Sequence, residues 1–370
     1  MRPVAGTSGF PSLALLYRLD KMCLMDKPLP PTPTRSRSSL PLFVLTVAVA
    51  TFFLVRHGSD WLRRTLIYLS QAAWARRLVS SWGVAWRVAS RFVAGVDRDA
   101  AVAATRALNE RGIMVTLDYL GESCTHEGEA LQAREEILRL LGDIAANDLQ
   151  ANVSLKPTQL GLKIDRELAY SNICALVERA KAAGNFIRID MEDSPTVDTT
   201  LGVYRQLRQE AGLDNVGVVI QSYLYRSEAD IEQLIEMGAR VRLCKGAYAE
   251  PAEVAFPHKA DVDANYLNLV RLLLGRRAAE TGVYPAFATH DASIIEEIKS
   301  YTRAHAISPQ AFEFQMLHGI RRDLQEQLVN EGYRVRVYVP YGTAWYPYFV
   351  RRLAERPANL WFFISNYLRA

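Results

Sequence analysis

The sequence predicts an α/β fold, a (β/α)8 barrel of the TIM type carrying an N-terminal helical arm. Three observations predict it. After residue 113 short apolar, β-prone runs alternate with longer helical stretches, the order of a parallel sheet with helical crossovers. Eight such runs occur, the barrel count, within the ~250 residues such a fold requires. Nearly every run ends in a side chain able to do chemistry, as expected where strand ends open onto a catalytic face.

The first residues do not belong to that pattern. Residues 1–39 read as a disordered extension, because the stretch 28–39, PLPPTPTRSRSS, is rich in Pro, Ser and Arg and cannot bury a core. Residues 40–64 hold an apolar segment, 40–55, between Arg35 and Arg37 on one side and Arg56, Arg63 and Arg64 on the other. It is shorter than the ~20 residues a helix needs to cross the hydrocarbon, so a membrane anchor, an interfacial helix and a helix packed on the enzyme all remain open. A later start at Met22 or Met25 would leave it in place. Residues 65–113 show apolar positions at helical spacing, with Trp74, Trp82 and Trp86 among Arg76, Arg77 and Arg87, and read as an amphipathic arm whose tryptophans pack in a core.

The eight strands are expected at 114–117, 152–155, 186–189, 216–220, 240–243, 286–288, 312–316 and 334–337, all within a barrel spanning 114–370. Their ends carry Asp118, Lys156, Asp190, Gln221, Arg242 with Lys245, Thr289 with His290, and Tyr338. Any one of these can be a strand-end polar group meeting water. A ring of Lys, Arg and Asp around one mouth needs mutual pairing or a charged ligand to offset desolvation, and a small anionic or zwitterionic substrate meets that need.

Beyond the last strand, Tyr348, Arg351, Arg352 and Glu355 recur at i, i+3, i+4 and i+7, which puts them on one helical face that ends before Pro357. Two adjacent guanidinium groups repel unless an anion lies between them, and Arg grips a carboxylate bidentately where Lys cannot. Glu355 can brace one of them. A solvated face with an i, i+4 ion pair has the same spacing, but a helix that follows the eighth strand begins at the catalytic mouth.

Composition excludes other classes. The chain has 370 residues, 49% hydrophobic and 23% charged, and a formal net charge of +4 from 44 Lys and Arg against 40 Asp and Glu, with no basic runs that would suit nucleic acid. The cysteines Cys23, Cys124, Cys174 and Cys244 match no disulfide framework or CxxC spacing and suggest a reducing compartment. The histidines, including His290 and His318, show no HExxH spacing, so no metal is expected. No GxGxxG occurs, which leaves the barrel mouth as the place for a cofactor.

Taken together, the motifs resemble the proline dehydrogenase family. YxxRRxxE over Tyr348 to Glu355 is similar to its signature helix, and VSLKPTQLG, IRIDMED, VVIQSYLYRS, VRLCKGAY, FATHD and FQMLHG resemble its other blocks in order, over roughly residues 65–367. The resemblance implies a distorted (β/α)8 barrel holding noncovalent FAD at its carboxyl end and oxidation of L-proline to Δ1-pyrroline-5-carboxylate, with hydride passing to flavin N5 and electrons to a membrane quinone. It places the carboxylate of proline on Arg351, Arg352 and Lys156, the ring against Tyr338 and Tyr348, and Glu355 behind an arginine. Asp190 and Arg242 fall on catalytic positions. Met191, Gln221, Lys245, Gly246, Ala247, Thr289 and His290 fall where the family holds FAD, and Glu122 in DYLGE matches a gate that closes on the second arginine.

A cytoplasmic protein at the inner face of the cell membrane is expected, with a separate pyrroline-5-carboxylate dehydrogenase taking the product. By the same resemblance, Tyr338 argues for proline over hydroxyproline, because its ring would crowd a substituent. Two other readings stay open: a flavin-free lyase with Lys156 or Lys245 as Schiff-base amine, and a binding protein that grips carboxylates without chemistry.

Overall fold

The computed structural model describes residues 86–87, 89–121 and 124–355, with side chains through residue 350. The predicted extension, the apolar segment 40–55 and residues 65–85 and 88 of the arm lie outside the described residues. Among the described residues no helix is long and apolar enough to cross a membrane.

Eight parallel strands close into a barrel in sequence order: β1 (Met114–Tyr119), β2 (Ala151–Leu155), β3 (Ile187–Ile189), β4 (Val216–Gln221), β5 (Arg240–Cys244), β6 (Tyr284–Ala288), β7 (Glu313–Leu317) and β8 (Val335–Tyr341). The ring shuts where β1 pairs with β8, from Met114 beside Arg336 to Tyr119 beside Tyr341. Helix α1 (Arg98–Asn109) precedes the barrel, and α2 (Glu127–Ala146), α3 (Arg166–Ala182), α4 (Val197–Gln209) and α5 (Ser227–Glu236) follow β1 to β4. The pair α6 (Lys259–Leu273) and α7 (Arg276–Thr281) follows β5, then α8 (Ala292–Ala304), α9 (Arg322–Asn330) and α10 (Trp345–Glu355).

Side-chain oxygens start several helices. Asp97 accepts from the Ala100 amide at 2.9 Å and Asp165 from the Leu168 amide at 2.8 Å, satisfying donors the helix leaves unpaired. The helices then bury one stripe, such as Ile137, Leu140, Leu141 and Ile144 of α2, against the outer face of the sheet.

The two faces of the barrel wall differ in kind. Val115, Leu117, Val153, Leu155, Ile187 and Ile189 belong to the same apolar cluster as the helices. Their alternate neighbours, Thr116, Asp118, Asn152, Ser154 and Arg188, are buried polar groups. Bonds between strands that are not neighbours prove that this second set fills the interior: Arg336 of β8 donates to Asn152 of β2 at 3.0 Å, and Arg242 of β5 to Ser154 of β2 at 3.4 Å. A barrel of this type ordinarily fills its interior with branched aliphatic layers. Here it is filled by charge.

At the carboxyl end, the segment before α1 lies against the last β/α unit. The Ala94 amide donates to Pro340 O and the Gly342 amide to Gly95 O, each at 2.9 Å. Trp86 meets Trp345 edge-on at 5.3 Å and Phe92 lies 6.3 Å from Phe349. Gly319 permits this, because a Cβ there would strike the Arg91 carbonyl.

Candidate active site

The strand ends bring most of the sequence-predicted residues to one mouth. Asp118, wholly buried at the end of β1, accepts from Lys156 Nζ at 3.1 and 3.0 Å. Burial pushes the Asp118 carboxyl above its ordinary range, opposed by the Lys156 ammonium. A buried ammonium and carboxylate this close hold each other in place, and removing either leaves a costly uncompensated charge.

Beside this pair, Asp190 collects three donors: Ser154 Oγ at 2.6 Å and Arg242 Nη1 at 2.7 Å on one oxygen, and the Tyr338 hydroxyl at 2.9 Å on the other. The Arg242 guanidinium lies 5.2 Å from the Tyr338 ring centre. Desolvation, then the carboxylates of Asp118 and Asp190, raise the Tyr338 phenol well above its ordinary value, so it stays a neutral donor. Arg242 also donates Nε to Gln315 Oε1 at 2.6 Å, while its buried Nη2 has no partner among the described residues. Such a donor is normally satisfied, so it marks a place where an acceptor belongs.

The positions expected to hold a cofactor lie next around the mouth. Gln221 donates to the carbonyls of Met191 and Glu192 at 3.3 and 3.2 Å, which fixes its amide and leaves the buried Oε1 without a partner among the described residues. Lys245 is held by Asp263 at 2.6 Å and Asp291 at 3.0 Å. Asp291 also caps α8, and its hydroxyl partner Ser293, ahead of Lys245, holds its carboxyl far below the usual range. Gly246 has φ +111° and a Cβ on it would lie 2.3 Å from the Tyr223 ring, so no other residue leaves the backbone in this position. Ala247 is exposed. Thr289 is buried and accepts from the Asp291 amide at 3.1 Å, and His290 Nε2 accepts from the Leu317 amide at 2.9 Å.

Tyr348 is buried in the apolar cluster formed with Phe92, Leu120, Trp345 and Phe349. Arg351, Arg352 and Glu355 lie in α10 as the spacing predicts, but their side chains and the gate residue Glu122 lie outside the described residues. Among the described residues no cluster of His, Cys, Asp and Glu could hold a metal, and Cys124, Cys174 and Cys244 are free thiols.

Sequence reasoning named strand ends and missed the layer beneath them. Ser154 and Gln315 bond to Asp190 and Arg242, and Glu313 and Arg336 bond beneath them; the signal for all four is a polar residue at every second position of β2, β7 and β8.

A closed parallel barrel with charged side chains converging at the carboxyl ends of its strands defines a (β/α)8-barrel enzyme. The family model for proline dehydrogenase matches residues 101–364. Among curated relatives, proline dehydrogenase 1 of Bacillus subtilis subsp. natto is 42% identical over 308 residues, covering 83% of this chain and 99% of the relative. The proline dehydrogenase of Deinococcus radiodurans is 45% identical over 287 residues, 77% of this chain and 91% of the relative. Among solved structures, proline utilization A from Bdellovibrio bacteriovorus, inactivated by N-propargylglycine, superposes with a TM-score of 0.68 at 27% identity. That match covers 73% of this chain but only 32% of the larger protein. The chain belongs to the proline dehydrogenase family, and its barrel is that of a proline-oxidising oxidoreductase.

Proposed function

We propose that the protein oxidises L-proline to Δ1-pyrroline-5-carboxylate, the first step of proline catabolism, at the carboxyl mouth of the barrel. The observation that carries this reading is the buried Arg242 guanidinium, fixed through Nε and Nη1 and left with an unpartnered Nη2 where the strands end. When bound there, noncovalent FAD would supply the hydride acceptor and pass the electrons to a membrane quinone.

Gln221, Lys245, Thr289 and His290, with the backbone at Met191, Gly246 and Ala247, would hold the cofactor. The buried, unpartnered Gln221 Oε1 fits a group that donates a hydrogen bond at this side of the mouth. Arg242 would place positive charge where negative charge grows during oxidation.

Proline loses a hydride from the ring carbon next to nitrogen and a proton from the nitrogen, giving the imine. Positioning does most of this work. Lys156, Arg351 and Arg352 grip the carboxylate, Tyr338 and Tyr348 wall the ring, Glu355 braces an arginine and Glu122 closes the mouth. Asp190 locks Tyr338 and Arg242 relative to each other. The apolar segment 40–55 between arginines suits a protein working at the inner face of the cell membrane, with a separate dehydrogenase consuming the product.

Replacing Arg351 or Arg352 by Met tests the substrate half of this assignment. Proline KM rises roughly 100-fold while flavin content is unchanged, because a bidentate carboxylate contact is lost. Unchanged proline kinetics would remove both arginines from the site.

A further inference from the structure

The groups below Arg242 carry more than packing. A guanidinium is planar, so fixing two of its nitrogens fixes the third. Nη1 is fixed by Asp190 and Nε by the Gln315 amide oxygen. An amide, however, can present either its oxygen or its NH2, and an NH2 facing the Nε–H would set donor against donor.

The next residue inward removes that freedom. Glu313, 1% exposed, accepts from the Gln315 NH2, and a carboxylate can do nothing but accept. Glu313 is in turn gripped by Arg336, Nε to Oε1 at 2.8 Å and Nη2 to Oε2 at 3.2 Å, and takes the Tyr284 hydroxyl at 3.3 Å. Arg336 is tied off to Asn152 Oδ1 and Val115 O, each at 3.0 Å. Burial works against ionisation of Glu313, but the Arg336 charge, the hydrogen bonds from Arg336 and Gln315 and the Arg188 charge together outweigh it, and its carboxyl titrates below the ordinary range.

We propose that Gln315 and Glu313 are positioning residues for Arg242: the Glu313 carboxylate dictates which end of the Gln315 amide points upward, and that amide aims the guanidinium, with its unpartnered Nη2, into the mouth. The inference deepens the functional reading above and rests on it. Neither residue touches substrate. Gln315 acts on the chemical step through Arg242, and proline affinity, set by the carboxylate grip, is not its concern.

The test uses the flavin-loaded full chain. Gln315→Met removes the acceptor and leaves Nε–H unsatisfied, so kcat falls about 10-fold with proline KM nearly unchanged. Gln315→Glu is isosteric, so it serves if the Met variant fails to fold. It sets a second carboxyl against Glu313, amid Arg242 of β5, Arg336 of β8, Arg188 and Asp190 on and after β3, and Tyr284 of β6. Two carboxyls in contact share a proton. As pH rises and that proton leaves, negative charge grows beside Arg242, so the midpoint potential of the bound flavin falls below the wild-type value by a margin that widens with pH.

A wild-type potential at every pH, with kcat per bound flavin also unchanged in both variants, overturns the inference. So does an activity loss that tracks only the fraction of folded protein. A wild-type protein whose flavin proline does not reduce defeats the functional reading itself, a separable result.

Discussion

The two faces of the barrel wall divide the labour of the molecule. Outward, Leu117, Val153 and Ile187 meet the helices in a continuous apolar core, and burying each such side chain contributes on the order of 2 kcal/mol. Inward, the residues between them, Asp118, Ser154 and Arg188, sit in a lattice of ion pairs and hydrogen bonds. Such a lattice costs desolvation and returns little net stability. Its cost is visible in Arg188, 1% exposed, whose guanidinium is lowered to about 9 by burial and by the nearby Arg242 charge. A fold that only had to be stable would fill this space with aliphatic side chains. The interior is therefore organised for orientation of charged groups, the outer wall for stability.

A matched pair of substitutions breaks that comparison most directly. Lys156→Met removes the partner of a buried carboxylate at the mouth, and kcat/KM for proline falls roughly 100-fold or more. Leu117→Ala, its neighbour facing the helices, costs about 2–5 kcal/mol in urea unfolding while kcat per folded molecule is unchanged. Equal effects of both on stability and turnover would show that the two faces are not separable.

A smaller effect is expected at the cofactor edge. Gly246→Ala drives a methyl into the Tyr223 ring at a backbone φ of +111°, so the protein retains flavin about 10-fold less tightly, read by flavin fluorescence on dilution. Wild-type retention would remove the backbone at Gly246 from the cofactor site.

The mildest effect concerns pH. Burial, and then the Arg322 charge, lower the His318 imidazole from 6.5 to about 4. Between those values the unfolded chain binds the proton and the folded one does not, so stability is complete above about pH 6.5 and declines as pH falls toward 4. His318→Gln flattens this decline by about 2–3 kcal/mol, measured as urea midpoints across the window. A wild-type slope in the variant would place the titration elsewhere.

The fold was legible in the sequence because the outer wall is written in β-prone apolar residues, Val216 to Ile220 being the plainest run. Strand β8 extends further than the run at 334–337, to Tyr341, because pairing with β1 continues past the polar Tyr338 and through Pro340, whose missing N–H makes it a poor strand former. The upper ring of site residues was legible for a different reason. A polar group directly after an apolar run stands out, as Lys156 and Asp190 do. Gln315, Glu313 and Arg336 stood out less, since the alternation of polar residues along β7 and β8 marks one face without telling whether that face is turned inward. The Glu313–Arg336 pairing comes from the register of the neighbouring strands β7 and β8.

The central claim is that the charged mouth of this barrel holds a flavin that proline reduces. Purified protein titrated anaerobically with L-proline, followed by visible absorption, tests it. A flavin band is expected to come with the folded protein and to bleach as proline is added. Folded protein with no flavin band, or a band that proline leaves unchanged, would contradict it.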